Sequence, residues 1–506
     1  MTAHFLPPIA NREKPPTIRH EFPRVTGRQL ASVPGRRGLP YFGILPEAVL
    51  DPLAFVLRMH RRYGPVHRFR ACGNWNVQLI GPEANEFVLF DQAGNFSARG
   101  GWKPVIGRHF GGGLLLRDGA DHAWHRKLIA SAFKAERLQS YLDLYACNNE
   151  ALSARWSGRT LDALEVAQGI SFANGYAAFL GRDPALATRK DMLAFRHLTC
   201  SSTAVVTVPL PGTAEARGVW AKRHIESLIR PMLDEKVAPG RTDLLATLCR
   251  MREGGLLDSD EILGHLTFVI AASFDPMASA TLSTLYYLAA NPSWQARVRD
   301  ELRREVGDPR SIALTDLMRC EQSEWAIKES LRLNAASPVL WRRSVKAFRF
   351  AGHDFPAGTF TGVNPMLTHL LPEIWTDPQS WDPERFSPDC ARGRHRFAFV
   401  PFGGGAHGCL GANAAYLQVR ALLRALLEGH ELVLADAKPP RWHHWPNCRP
   451  RSPLKIELRR RRMNSSPAFA GEGDHAKHGG GVLPAPEEPL HRTSCSPPPR
   501  EIAGRN

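Results

Sequence analysis

Apolar positions recur at helical spacing over most of the chain and alternate only in short runs. Leu53 to Tyr63 (LAFVLRMHRRY) predicts a helix with a basic face. Val66–Arg70 and Val77–Ile80 alternate and are bounded by glycines, which predicts a hairpin. Pro82 to Leu89 predicts another short helix. From about Ala135 to Asp258 several helices follow with few fixed motifs. The longest helical pattern runs from Asp260 to Ala290, and Asp258 or Ser259 is placed to cap it. Glu324 to Leu333 predicts a helix, Gly352 to Gly358 a strand and turn, and the run after Gly411 a further helix. The expected fold class is mainly α with a minor β region (α+β). Residues 1–37, rich in Pro, Arg and polar side chains, predict an irregular lead-in. Residues 38–458 predict one domain. From Arg459 to the end Ser, Pro, Gly, Glu and His dominate without apolar periodicity, so residues 459–506 are expected not to fold alone.

Composition narrows the classes. The chain has 506 residues and a formal net charge of +16, part of it in the terminal run Arg459 to Arg462. Excess base suits acidic partners or solubility. Basic residues are not interleaved with aromatics along a nucleic-acid module, so no nucleic-acid partner is expected. The nine cysteines are odd in number and scattered, which favours a reducing compartment over a disulfide framework. The early apolar stretch Leu39 to Leu57 is broken by Pro40, Pro46, Glu47, Asp51 and Pro52, so no membrane anchor or signal peptide is expected there.

The chemistry concentrates at Phe399 to Gly411, which reads FVPFGGGAHGCLG. Its glycines let the backbone turn tightly and lie close to something large and flat. Cys409 stands just before a helical run, where the helix dipole and free N–H groups stabilise a thiolate. One cysteine without a second Cys or His at finger spacing cannot build a tetrahedral zinc site. It can be a buried structural cysteine or the single axial ligand of a haem.

The pattern Phe402-x-x-Gly405-x-His407-x-Cys409-x-Gly411 resembles the haem-binding loop of the cytochrome P-450 family. Three further motifs support the resemblance, which covers roughly residues 40–458. His122 and Arg126 share one face of a helix, and in the family such a pair holds a haem propionate. Ile270 to Ser279 is similar to the helix that crosses the haem's distal face. Glu329-x-x-Arg332, followed by Pro383-Glu384-Arg385-Phe386, resembles the family's structural Glu-Arg-Arg triad. The resemblance implies haem b between the Asp275 helix and the Cys409 helix, with the Cys409 thiolate as axial ligand. It implies that His122, Arg126, Arg343, His407 and Phe402 also contact the cofactor, with Arg342 in place of Arg343 if the register is one residue out. Ala335 to Leu340 would face substrate. His369 receives no chemical role.

The chain departs from the family pattern at one point. Pro276 stands where the family usually has a threonine, and Ser273 replaces the usual glycine. Proline lacks an N–H, so the Ala272 carbonyl loses its helical partner and a kink is expected, with an opening built into the backbone. Proton handling would pass to Asp275, Ser273, water or a substrate hydroxyl; Asp275 equally reads as a structural acid. Thr199 to Gly212 could line a pocket or sit in ordinary core. Arg392, Arg394, His395, Arg396, Arg420 and Arg424 form either a docking face for an acidic ferredoxin or flavodoxin or a solvated charge run.

The expected function is a cytoplasmic, bacterial-type haem-thiolate monooxygenase acting on a hydrophobic small molecule, a terpenoid by analogy. Its electrons would come from a ferredoxin-type partner. The alternatives are a peroxide-using or isomerising haem-thiolate enzyme, motivated by Pro276, and a non-catalytic haem-binding protein.

Overall fold

The computed structural model describes residues 13–461. Helices build the body and a small mixed sheet is set to one side. The helix Ser259–Ala290 runs through the middle of the main apolar cluster, and residues on nearly every side of it are buried. A helix apolar all round belongs inside a large core, so this one is the axis on which its neighbours pack. Asp258 and Glu261 form a reciprocal capping box at its start. The helix runs on through Pro276 as one element instead of ending there.

The expected hairpin is the pair Val66–Ala71 and Asn74–Leu79, joined by a two-residue turn at Cys72 and Gly73, both at positive φ. It belongs to a six-stranded sheet in the order Gly35–Arg36, Val66–Ala71, Asn74–Leu79, Phe360–Val363, Leu340–Ser344, Phe96–Ser97. Separate apolar clusters pack this sheet, one around Val77, Leu79 and Val363 and another around Phe69, Ile80 and Met366. The strand Lys455–Arg460 pairs antiparallel with His430–Leu434. Arg459 and Arg460 therefore belong to the fold, which corrects the expected start of the tail. The rest of that tail, residues 462–506, and the first twelve residues of the lead-in lie outside the described residues.

Candidate functional site

A cavity of about 420 Å³ lies between the long helix and the loop that carries Cys409. Ala271, Ala272, Ser273, Pro276 and Ala280 form its wall on the helix side, and Phe402, Gly403, His407, Cys409 and Leu410 form its floor. The floor is held by short backbone hydrogen bonds. Gly403 N–H donates to Val400 O at 3.1 Å, Cys409 N–H to Phe402 O at 3.0 Å and Gly408 N–H to Gly405 O at 3.0 Å. Gly405 sits at φ +64, and a Cβ there would meet Leu89 O at 2.0 Å, so only glycine fits. The helix Ala412–Gly429 begins three residues after Cys409. Burial pushes the Cys409 thiol up, while the Gly411 N–H and the Arg126 charge pull it down toward thiolate.

A second network anchors the floor from below. Arg332 donates to both oxygens of Glu329 at 2.8 Å, and to the carbonyls of His369, Pro378 and Ser380 at 2.8, 2.8 and 3.0 Å. Arg385 approaches Glu329 at 3.3 Å. Glu329 and Arg332 are fully buried. His369 then accepts the Val400 N–H at 3.0 Å on Nε2. Burial lowers the His369 pKa to about 3, so the ring stays neutral and keeps that acceptor. His369 thus ties the buried ion pair to the Cys409 loop, a role the sequence did not reveal because nothing in its spacing to Val400 marks the contact.

One end of the cavity collects unsatisfied hydrogen-bond donors. His122 and Arg126 project from the helix Gly119–Ala130, and both line the cavity. The His122 ring stacks on His407 with centroids 3.8 Å apart. Its buried Nε2 has no partner among the described residues, nor has Trp102 Nε1, which lines the same cavity. Burial and then the Arg126 charge lower the His122 pKa to about 4. His407 is pushed well down by burial, then by Arg342, His122 and Arg126, which places these cationic groups within one another's field.

The arginine that completes this end is Arg342, not the expected Arg343. On the strand Leu340–Ser344 side chains alternate between faces, so adjacent residues cannot both reach the cavity. Leu340 and Arg342 line it. Arg342 is buried, donates only to its neighbour's Trp341 O at 2.9 Å, and is lowered by desolvation to about 10. Arg343 lies on the opposite face, donating to Gly358 O at 3.0 Å, with its guanidinium 4.7 Å from the Phe22 ring.

The long helix sorts the two residues expected to handle protons. Ser273, Pro276 and Ala280 lie near one face, while Asp275, two positions from Ser273, is rotated by about 200° around the axis. Ser273 lines the cavity, its Oγ donating to Ile270 O at 3.0 Å. Asp275 does not line it. It lines a separate polar cavity of about 20 Å³ with Gln168, Cys200, Asn447 and Arg449. Gln168 Nε2 stands 3.5 Å from its carboxylate. Burial raises the Asp275 pKa to about 6 against the opposing pull of Arg196 and Arg449.

The expected basic face is also smaller than the sequence suggested. Arg420 and Arg424 are buried, capping Leu317 O and Val306 O respectively. Arg392 and Arg396 remain exposed, paired with Asp389 and Glu86. Thr199 and Thr203 line the cavity, whereas Val205, Val206, Val208 and Leu210 are exposed, so the segment Thr199–Gly212 is partly pocket wall and partly surface loop.

The residues between helix and floor fit a haem. The unpartnered His122 and Trp102 nitrogens, with the Arg126 and Arg342 guanidinium groups lining the same cavity, suit two carboxylates, and Cys409 opens into it as well. Apolar side chains and a flat glycine loop suit a macrocycle.

Comparison with known proteins agrees with this geometry. The family model described as Cytochrome P450 matches residues 33–174 and 194–458. The protein named cytochrome P450 136 of Mycobacterium tuberculosis is 31% identical over 448 residues, covering 86% of this chain and 90% of its own. Abscisic acid 8'-hydroxylase 1 of Arabidopsis thaliana is 25% identical over 449 residues, covering 87% and 93%. The fold is similar to that of the retinoic acid bound cyanobacterial CYP120A1, with a TM-score of 0.77, 22% identity, and 87% and 99% of the two chains covered.

Proposed function

The chain belongs to the cytochrome P450 family, a family of haem-dependent monooxygenases, and from that premise we propose that Cys409 is the axial ligand of a haem b and that the cavity above it oxidises a hydrophobic small molecule. One observation carries the reading: Cys409 opens into the same cavity as the unpartnered His122 and Trp102 nitrogens and the guanidinium groups of Arg126 and Arg342, a set suited to propionates. When bound, the haem supplies thiolate-ligated iron, which favours O–O cleavage and transfer of an oxygen atom to a C–H bond.

The protein's residues do the rest. Arg126 and Arg342 would neutralise the propionates, His122 and Trp102 would orient them with uncharged N–H donors, and His407 and Phe402 pack the floor. Cys409 donates its thiolate from a loop that the Glu329–Arg332–His369 network keeps from shifting. Ile106, Phe110, Leu114 and Phe268 exclude water and hold an apolar substrate over the floor. Ser273 is the hydroxyl of the long helix nearest the substrate face, and it holds a proton-carrying water beside the Ala272 carbonyl that Pro276 leaves without its usual donor. Asp275 exchanges protons with this cavity only through groups that adjoin both, such as Thr199 and Asn447.

Electrons arrive from a cytoplasmic ferredoxin or flavodoxin, whose acidic face meets Arg392 and Arg396. The long helix is apolar and long enough to cross a membrane by composition, yet most of it is buried inside the fold, which supports a core role. The test is turnover of a hydrophobic panel under isotopically labelled oxygen with a reconstituted donor: products carrying one labelled oxygen, dependent on reductant, are expected. A second reading rests on Pro276, namely a peroxide-using enzyme. Equal turnover with peroxide and with the reductase system would favour it, and strict dependence on oxygen and reductant would sink it.

A further inference from the structure

Most of the cavity is apolar, but part of its lining is not. Thr199 sits in the last turns of the helix Arg189–Ser202, and Thr203 follows one helical turn later; both line the cavity. Each hydroxyl has one proton and two lone pairs. The Thr199 hydroxyl is committed to protein acceptors, donating to Phe195 O at 3.1 Å. The Thr203 hydroxyl lies 3.3 Å from Cys200 O and 3.4 Å from Thr199 O. While its proton stays on a helix carbonyl, each threonine hydroxyl offers lone pairs to the cavity and accepts. Asn447, on the segment Trp445–Asn447 that also lines the cavity, makes no side-chain hydrogen bond among the described residues. Its amide offers two donors and one acceptor. Asn447 lines the small cavity around Asp275, and the Thr199 side chain faces the same carboxylate, so Thr199 and Asn447 both adjoin Asp275 while lining the large cavity.

We infer that the cavity takes a lipophilic alcohol: a hydrophobic skeleton whose hydroxyl donates to Thr199 or Thr203 and accepts from the Asn447 amide. A ketone or an ether takes a bond from Asn447, and takes one from a threonine only if that hydroxyl gives up its helix carbonyl, whereas an alcohol makes both bonds with the protein's own hydrogen bonds intact. A hydrocarbon would leave every group on this wall without a partner, and an unmatched polar group in a desolvated site costs binding. The hydroxyl end held here directs the rest of the skeleton toward the floor. The inference deepens the proposed function and rests on it, since the cavity must be the substrate's.

The experiment is calorimetric titration of the haem-loaded full chain with matched sets built on terpene and long-chain skeletons, each as hydrocarbon, alcohol and methyl ether. Within a set that fits, the alcohol is expected to bind ~10-fold tighter than the ether or hydrocarbon, as one well-made neutral hydrogen bond allows. In Thr199→Val/Thr203→Val the preference is expected to fall to ~2-fold while hydrocarbon affinity holds, because valine keeps the volume and removes the acceptor. Asn447→Leu is expected to weaken alcohol and ether alike. An unchanged preference in the double valine variant overturns the inference, as does a wild type that binds hydrocarbon and alcohol equally or binds no member of any set. A carbon monoxide spectrum recorded on the same samples separates this failure from failure of the haem reading.

Discussion

The floor and the roof of the cavity are built on different principles. Beneath the cavity, Glu329, Arg332 and His369 are fully buried and joined by hydrogen bonds, and His369 carries the network to Val400 on the loop that holds Cys409. Above it, a surface loop carries exposed Val205, Val206, Val208 and Leu210. A polar cluster joins the roof to its neighbours, where His109, Ser201 and Glu215 meet at 2.8 to 3.3 Å. A floor that fixes a ligand atom has to be rigid. A roof that admits a bulky apolar guest has to open, so it is drawn from the less stable end of the structure.

Arg332→Ala tests the contrast most severely. It leaves the Glu329 carboxylate buried with Arg385 and the Asp382 N–H beside it and strips donors from the His369, Pro378 and Ser380 carbonyls. A loss of about 3–5 kcal/mol is expected by denaturant unfolding, with release of haem. Glycines sharpen it next. Gly405 and Gly212 both have positive φ, but a Cβ at Gly405 strikes Leu89 O while nothing lies within 4 Å at Gly212. Gly405→Ala is expected to cost about 3 kcal/mol and Gly212→Ala only about 1 kcal/mol, read as the difference in unfolding free energy.

Asp275, on the side of the long helix turned from the floor, gives a pH signature. Its pKa rises from 3.8 unfolded to about 6 folded, because burial disfavours the carboxylate. The folded state therefore holds the proton to higher pH. The resulting cost is absent below pH 4, grows as pH rises, and is complete above pH 6. Asp275→Asn is expected to gain about 1–3 kcal/mol over wild type at pH 8 and nothing at pH 4. Parallel stability profiles for the two proteins would contradict this placement.

Smaller effects distinguish neighbours. Arg342→Ala should speed haem loss to apomyoglobin about tenfold, as removal of one charge-assisted bond implies, while Arg343→Ala should leave it within twofold. Pro276→Thr restores a hydroxyl at the helix opening and should change the ratio of product to reductant consumed. An unchanged ratio would remove that position from oxygen chemistry.

What the sequence made legible follows the same division. The floor was readable because a local spacing, Phe402 to Gly411, carries its own geometry, and because His122 and Arg126 share a helix face wherever that helix lies. Arg342 was ambiguous with Arg343, since a strand's two-residue period decides the facing residue only once the register is known. The facing of Asp275 was hidden because its helix is apolar on all sides and betrays no orientation. Thr199 to Gly212 gave no answer, because the same small apolar residues serve as pocket wall near Thr203 and as exposed loop from Val205 onward.

The central claim is that Cys409 ligates a haem in the cavity above it. The ferrous carbon monoxide difference spectrum of the full chain, recorded for wild type and Cys409→Ser, tests it most directly. The account predicts the strongly red-shifted band of a thiolate-ligated haem in wild type and its disappearance in the variant. A folded wild type without that band, or a variant that keeps it, would contradict the account.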